Sequence, residues 1–251
     1  MRIGKGTPNR VGLRAFKRRP GLITSGLMGV VAALGLVACG GSAATPSPSP
    51  VQRGAISVDG QLRGYRVFRP PALRSRPAPL VVLLHGCLPG ANGQGAASAV
   101  KFDDKATSAG FVAVYPDGIE GCWNAGRCCG TADDVGFIRL LLDRLLRELP
   151  IDRSRIFVTG ASGGAAMAYR LACELSSRVT AIASVSGGSS LDTPCRPARP
   201  GSVLEMHGSD DSRLPYHGGG PNNVSPSCRL FTVGWRWMAA WVIPTLLRAA
   251  S

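Results

Sequence analysis

At 251 residues, 45% hydrophobic and 18% charged, the chain is long enough for one domain with a substantial core plus a targeting segment, and too short for two catalytic domains. The formal charge of +14 reads as a nucleic-acid signal only until it is divided: residues 1–38 hold seven Lys or Arg and no acid, leaving 22 basic against 15 acidic residues and no basic run with interleaved aromatics, which argues against a nucleic-acid partner. Eight cysteines are many for a cytosolic enzyme and point to an oxidising compartment with disulfides.

Arg10, Arg14, Lys17, Arg18 and Arg19 precede an apolar run from Leu22 to Ala38 that ends in Leu36-Val37-Ala38-Cys39. A basic region, an apolar region and small residues before a cysteine describe an export signal of lipobox type, in which Cys39 is acylated and becomes the mature N-terminus. The competing reading is an uncleaved membrane helix, for which the run is slightly short. Residues 40–50 read GGSAATPSPSP, a composition that forms no core and extends as a stalk. The chain therefore divides into a signal at 1–38, a linker at 39–52, a domain at 53–227 and an atypical tail at 228–251, with an extracellular or cell-surface location and a lipid anchor to the membrane.

Within the domain, Ala55 to Asp59 and Leu62 to Arg69 are β-prone runs joined around Asp59-Gly60, a hairpin dipeptide. Leu80 to Leu84 is continuously apolar, as a central parallel strand covered on both faces should be, and it runs into His85-Gly86-Cys87. Residues 92–109 read as a loop and a helix stopped by Gly110, and Phe111 to Tyr115 as the next strand. The loop after it carries three cysteines and Trp123 near a strand's C-terminal end, where open α/β sheets bind ligands; Trp123 is a candidate pocket residue or a packed core indole. Asp133 to Leu149 has apolar residues at helical spacing behind Asp133-Asp134, closed by Pro150.

Residues 156–170, IFVTGASGGAAMAYR, run from a strand through G-x-S-x-G into a helix, the pattern of a nucleophile elbow. Ser162 is the candidate nucleophile; the competing reading is a glycine-rich turn without chemistry, since 33 glycines make the bare motif common. The backbone N–H of Gly163 and that of Cys87 are candidate oxyanion donors, and His85 is expected to orient its loop beside the pocket. Ala181 to Ser186 and Ser202 to Met206 are further strands, the second leading into His207-Gly208-Ser209-Asp210-Asp211. Strand and helix alternate, which predicts a mainly parallel sheet with helices on both faces.

The strings LLHGC at 83–87, YPDG at 115–118, CWNAGRCCG at 122–130, DDVGFI at 133–138, VTGASGGAAMAYRLAC at 158–173 and HGSDDSRLPYHGG at 207–219 together resemble the extracellular polyhydroxybutyrate depolymerase and feruloyl esterase family, and within it the esterase lipoproteins of actinobacteria. The resemblance implies an α/β-hydrolase fold, truncated at its C-terminal end, and hydrolysis of an ester substrate through an acyl-serine, with no cofactor and no metal. It places the nucleophile on Ser162 and the acid on Asp211, with Asp210 as runner-up, and it suggests a disulfide between Cys173 and Cys195. Cys87, Cys122, Cys128 and Cys129 would form two more bridges of open connectivity; a zinc site is the competing account, disfavoured because no paired C-x-x-C exists and only three histidines do.

The pattern is incomplete in one respect. A hydrolase triad runs Ser, acid, His, with the histidine after the last strand, whereas His85 and His207 belong to strand-end motifs and His217 lies six residues beyond Asp211. The tail holds no acid after Asp211, adds Cys228, and carries Trp235, Trp237 and Trp241, as a frameshifted or a membrane-seeking segment would. Two functions remain open from sequence: a serine esterase, and a hydrolase-fold binder or gene remnant without turnover.

Overall fold

The computed structural model describes residues 49–217 except 128, 192 and 193, together with the backbone of a strand at Ala240–Val242. The signal segment with Cys39, the stalk before residue 49, and Cys228, Trp235 and Trp237 lie outside the described residues.

Eight strands form one sheet: β1 (Val51–Val58), β2 (Gln61–Phe68), β3 (Ala78–Leu84), β4 (Val112–Pro116), β5 (Ile151–Ala161), β6 (Ala181–Val185), β7 (Ser202–Met206) and β8 (Ala240–Val242). Their spatial order is β1-β2-β4-β3-β5-β6-β7-β8. β1 and β2 are an antiparallel hairpin turned by Asp59 and Gly60, both at positive φ, the requirement of a two-residue type I′ loop. β2 joins β4 antiparallel, and every pair from there to β8 is parallel. The sheet exceeds the expected domain at both ends. β1 starts at Val51, inside the stretch assigned to the linker, and the atypical tail supplies β8, held in register by pairing of Val203 with Ala240.

Among the described residues, four α-helices cover the two faces: α1 (Gly93–Ala99), α2 (Phe102–Ala109), α3 (Asp134–Glu148) and α4 (Gly163–Glu174). Leu80, Val82 and Leu84 of β3 and Ile156 and Val158 of β5 point to one side, where they pack with Ile138, Leu141 and Leu145 of α3 and Met167 and Leu171 of α4. The alternate residue Leu83 faces the other side, with Ala113 and Tyr115 of β4, Ala97 of α1 and Ala106 of α2. This is the two-residue period of a central strand covered twice. The loop and one helix expected over 92–109 are instead two helices, separated because Lys101 adopts a left-handed φ of 47° between them.

A buried ion pair fixes the loop that leads back to the sheet's C-terminal edge. Arg63 of β2 meets Asp134 at 2.5 Å with both side chains almost fully buried, and also donates to Asp117 O at 3.1 Å. Asp134 Oδ2 accepts from Asn124 N at 2.6 Å. Satisfied on every side, the pair ties β2, α3 and the 117–134 loop together; leaving either charge alone would be strongly destabilising.

Candidate active site

β5 ends at Ala161, α4 begins at Gly163, and Ser162 is the one residue between them, at φ 54° and ψ −121°. A residue with a side chain rarely adopts this conformation, which costs about 1–3 kcal/mol. The surrounding bonds hold it there: Ser162 N donates to Val185 O at 3.0 Å, and Ser162 O accepts from Ala165 N at 3.0 Å and Ala166 N at 3.1 Å. The helix then passes directly over the end of β3. A Cβ at Gly164 would sit 2.5 Å from the carbonyl oxygens of both Leu84 and His85, and a Cβ at Gly163 would run into Cys87 Sγ and lie 3.4 Å from Cys87 N. Glycine at 163 and 164 is therefore a condition of the approach. It brings the first turn of α4, with the positive end of the helix dipole, beside the Cys87 peptide.

The Cys87 loop is fastened from several directions. Cys87 is disulfide-bonded to Cys122, and Leu88 N donates to Gly121 O at 3.2 Å. His85 places Nδ1 2.9 Å from Gly86 O and Nε2 2.9 Å from Gly118 N. The carbonyl can only accept and the peptide N–H can only donate, so the ring is neutral with its proton on Nδ1. Burial also pushes the imidazole pKa down, against smaller upward effects of Gly86 O, Asp117 and Asp134. Trp123 packs on this ring at a centroid distance of 4.8 Å and donates its indole N–H to His85 O at 2.9 Å. Trp123 has no exposed surface, which corrects its expected place in a pocket wall: a buried indole needs one polar partner, and His85 O supplies it. His85 does line a largely apolar cavity of about 520 Å³, with Leu88, Val100, Phe102, Ala161 and Val185.

The sulfurs of Cys87, Cys122 and Cys129 lie within 4.8 Å of one another. Two of them are bonded to each other, so the cluster does not offer the thiolates that a zinc site of this kind needs. Cys173, at the end of α4, is joined to Cys195 in the segment between β6 and β7.

Asp211 lies on the turn after β7. Its Oδ1 accepts from Arg213 N and Leu214 N, each at 2.9 Å, and its Oδ2 is 3.6 Å from His207 Nε2. Asp210 beside it is exposed. Within the turn, then, the carboxylate held by backbone donors is that of Asp211. His207 is buried, with Nδ1 3.0 Å from Glu205 Oε1 and Nε2 2.6 Å from Leu214 O. His217 is exposed and packs edge-on against Tyr216 at 5.2 Å. The Ser162 side chain makes no capping bond to α4, and both ring nitrogens of His85 and of His207 are engaged, those of His85 by Gly86 and Gly118 and those of His207 by Glu205 and Leu214.

A family model described as Esterase PHB depolymerase matches residues 63–193, just over half of the chain, from within β2 through the Ser162 turn to beyond β6. The chain belongs to this esterase family. It is 32% identical over 123 residues to feruloyl esterase B of Piromyces equi, covering 44% of this chain and 22% of the relative. It is 36% identical over 109 residues to feruloyl esterase C of Emericella nidulans, covering 43% and 38%. The chain thus spans well under half the length of these curated relatives. Among solved structures, acetyl xylan esterase from Aspergillus awamori superposes with a TM-score of 0.53 at 19% identity, over 68% of this chain and 76% of that one. The sheet order and the strand-Ser-helix turn agree with that likeness in fold: the esterase domain is an α/β-hydrolase.

In this esterase fold the structure brings Ser162, Gly163 and Cys87 to one point at the C-terminal edge of the sheet, and sets Asp211 on the turn after β7. Two further residues escaped the sequence reading. Glu205 and Tyr169 are buried and bonded to each other at 2.8 Å. The available signal was Glu205 itself, the only charged residue in the strand Ser202–Met206.

Proposed function

We propose that the chain is a carboxylic ester hydrolase that attacks through Ser162 and forms an acyl-serine, exported and held at the cell surface by an acylated Cys39. The observation that carries the enzymatic half is the strained Ser162 between β5 and α4, with Gly163 packed against Cys87. Ser162 Oγ gives its proton to a base and adds to the ester carbonyl, whose oxygen gains negative charge where the N–H groups of Gly163 and Cys87 and the positive end of α4 converge. Collapse returns that proton to the leaving alkoxide, expels the alcohol and leaves the acyl group on Ser162; water then gives a proton to the base, adds to the acyl carbonyl and releases the acid as the proton returns to Ser162 Oγ. Asp211 takes the part of the acid that orients and stabilises a protonated base. The names of the relatives, feruloyl and acetyl xylan esterases, favour feruloyl or acetyl esters, and the family's description as PHB depolymerase adds a polyester as the alternative.

A specific observation favours a second reading, a hydrolase-fold binder without turnover: both ring nitrogens of His85 and of His207 are engaged by neighbouring groups. A fluorophosphonate probe tests the first reading. It should label the wild-type chain and not Ser162→Ala; equal labelling of both would reject Ser162 as the nucleophile. Fatty-acid labelling of cells tests the anchor, because Cys39→Ala should then lose both the label and the membrane association.

A further inference from the structure

A line of contacts ends at Asp211 and begins on the nucleophile helix. Tyr169 lies seven residues beyond Ser162, two turns along α4, and is fully buried. Its hydroxyl donates to Glu205 Oε2 at 2.8 Å. Glu205 Oε1 lies 3.0 Å from His207 Nδ1, and His207 Nε2 lies 2.6 Å from Leu214 O. The carbonyl of Leu214 can only accept, so Nε2 carries a proton; one more proton closes the bond between Oε1 and Nδ1, whichever atom holds it. Leu214 is the junction. Its carbonyl takes the bond from His207, while its N–H donates to Asp211 Oδ1 at 2.9 Å, next to the parallel bond from Arg213 N.

A carboxyl buried in the sheet at 1% exposure is destabilising unless its neighbours satisfy it. Burial pushes the Glu205 pKa up, opposed by the bonds from Tyr169, Ser184 and His207. An apolar side chain at 205 would fill the same strand position without that cost, so the carboxyl's presence calls for a role. Its two oxygens point one to α4 and one to the ring that holds the acid turn.

We infer that Tyr169, Glu205 and His207 are positioning residues that fix the acid turn to the nucleophile helix, His207 gripping Leu214 so that the amides of Leu214 and Arg213 aim the Asp211 carboxylate. The assignment rests on Asp211 being the acid of the esterase site. Its test is independent of turnover, so a failure of the esterase reading and a failure of this one are separable.

The full chain, labelled with nitrogen-15, gives two readouts. The first is the wild-type imidazole spectrum of His207 near neutral pH, which should show Nε2 protonated. An unprotonated Nε2 would overturn the inference, because the grip on Leu214 would not exist. The second is amide exchange. In His207→Phe, which keeps a ring of similar volume, the amides of Arg213 and Leu214 should exchange about tenfold faster, the equilibrium equivalent of roughly one lost hydrogen bond. Amides of β6 such as Ile182 and Ala183 should keep their rates. Glu205→Gln should restore near-wild-type rates at Arg213 and Leu214, since its amide can donate to Nδ1 and its oxygen can accept from Tyr169, whereas Glu205→Leu should behave like His207→Phe. Unchanged rates at Arg213 and Leu214 in His207→Phe would refute positioning, and so would equal acceleration in β6, which would mark the residues as mere supports of the fold. If His207→Phe does not fold, Tyr169→Phe carries the same comparison with a smaller local effect, and no effect there together with an unprotonated Nε2 would count against the inference.

Discussion

At the scale of single residues, the site is governed by backbone approach and by which nitrogen holds a proton. Gly164 illustrates the first. A Cβ there meets two carbonyl oxygens at 2.5 Å, and neither belongs to a flexible side-chain end, so α4 must lift from β3. Gly164→Ala should therefore destabilise the domain by about 1–3 kcal/mol, read from the midpoint of urea unfolding; an unchanged midpoint would mean the helix can shift at no cost. His85 illustrates the second. Its folded pKa is below the ordinary 6.5 because burial disfavours the charged ring. The unfolded chain takes up a proton below about pH 6.5 that the folded ring refuses, so its stabilising contribution is complete above that pH and declines as pH falls through it. Glu205 acts in the opposite sense: its folded pKa is raised by burial from 4.5, so its contribution is complete below that value and declines as pH rises through the folded value. Comparison of wild type with His85→Gln isolates the first effect. The wild type should lose more unfolding free energy between about pH 7.5 and 5.5 than the variant does, and parallel losses would show that His85 is not the group responsible.

Among the elements, the Cys173–Cys195 bridge ties the end of the nucleophile helix to the segment after β6 across 22 residues. In the chain-entropy account a loop of this length stabilises by about 3 kcal/mol. Cys173→Ala/Cys195→Ala should lower the denaturation midpoint accordingly and leave fluorophosphonate labelling of Ser162 in place, because the bridge lies at the far end of α4; loss of labelling in a folded variant would contradict that division. Element by element, legibility followed the strength of the local period. α3 was readable because apolar side chains recur at helical spacing and Asp133 caps it by accepting from Gly136 N at 2.8 Å. The break between α1 and α2 was not, since it depends on a left-handed Lys101 with no glycine or proline to announce it. β1 began early because an edge hairpin strand keeps polar residues exposed, so composition could not separate Val51 and Gln52 from the stalk. β8 has three residues and acquires its identity from pairing with β7, a non-local fact.

Across the whole molecule, the strand–Ser162–helix turn was legible because the G-x-S-x-G string came with its own strand and helix, and the approach of Cys87 to it because Cys87 follows the central strand. The network behind Asp211 was hidden because Tyr169 and Glu205 are 36 residues apart and meet only when α4 packs on the sheet. The same assembly decides how active the chain can be. A serine hydroxyl needs a base to take its proton and an acid to return it to the leaving alkoxide. Of the three histidines in the sequence, His85 and His207 have both ring nitrogens engaged, by Gly86 and Gly118 and by Glu205 and Leu214; His217 is exposed beside Tyr216. Removing the histidine of the subtilisin triad lowers kcat by about 10⁶-fold, with binding and the oxyanion hole supplying what remains. Turnover of a short-chain nitrophenyl ester by this chain should therefore fall near that residual level, and fluorophosphonate labelling, which needs the same proton removed from Ser162, should be slow while remaining Ser162-dependent. Grafting the C-terminal segment of a family member, with its histidine, after Gly219 should raise the rate by several orders of magnitude in a Ser162-dependent way. Fast Ser162-dependent hydrolysis by the ungrafted chain would contradict this account and point to His217 as the base, which His217→Gln would then abolish.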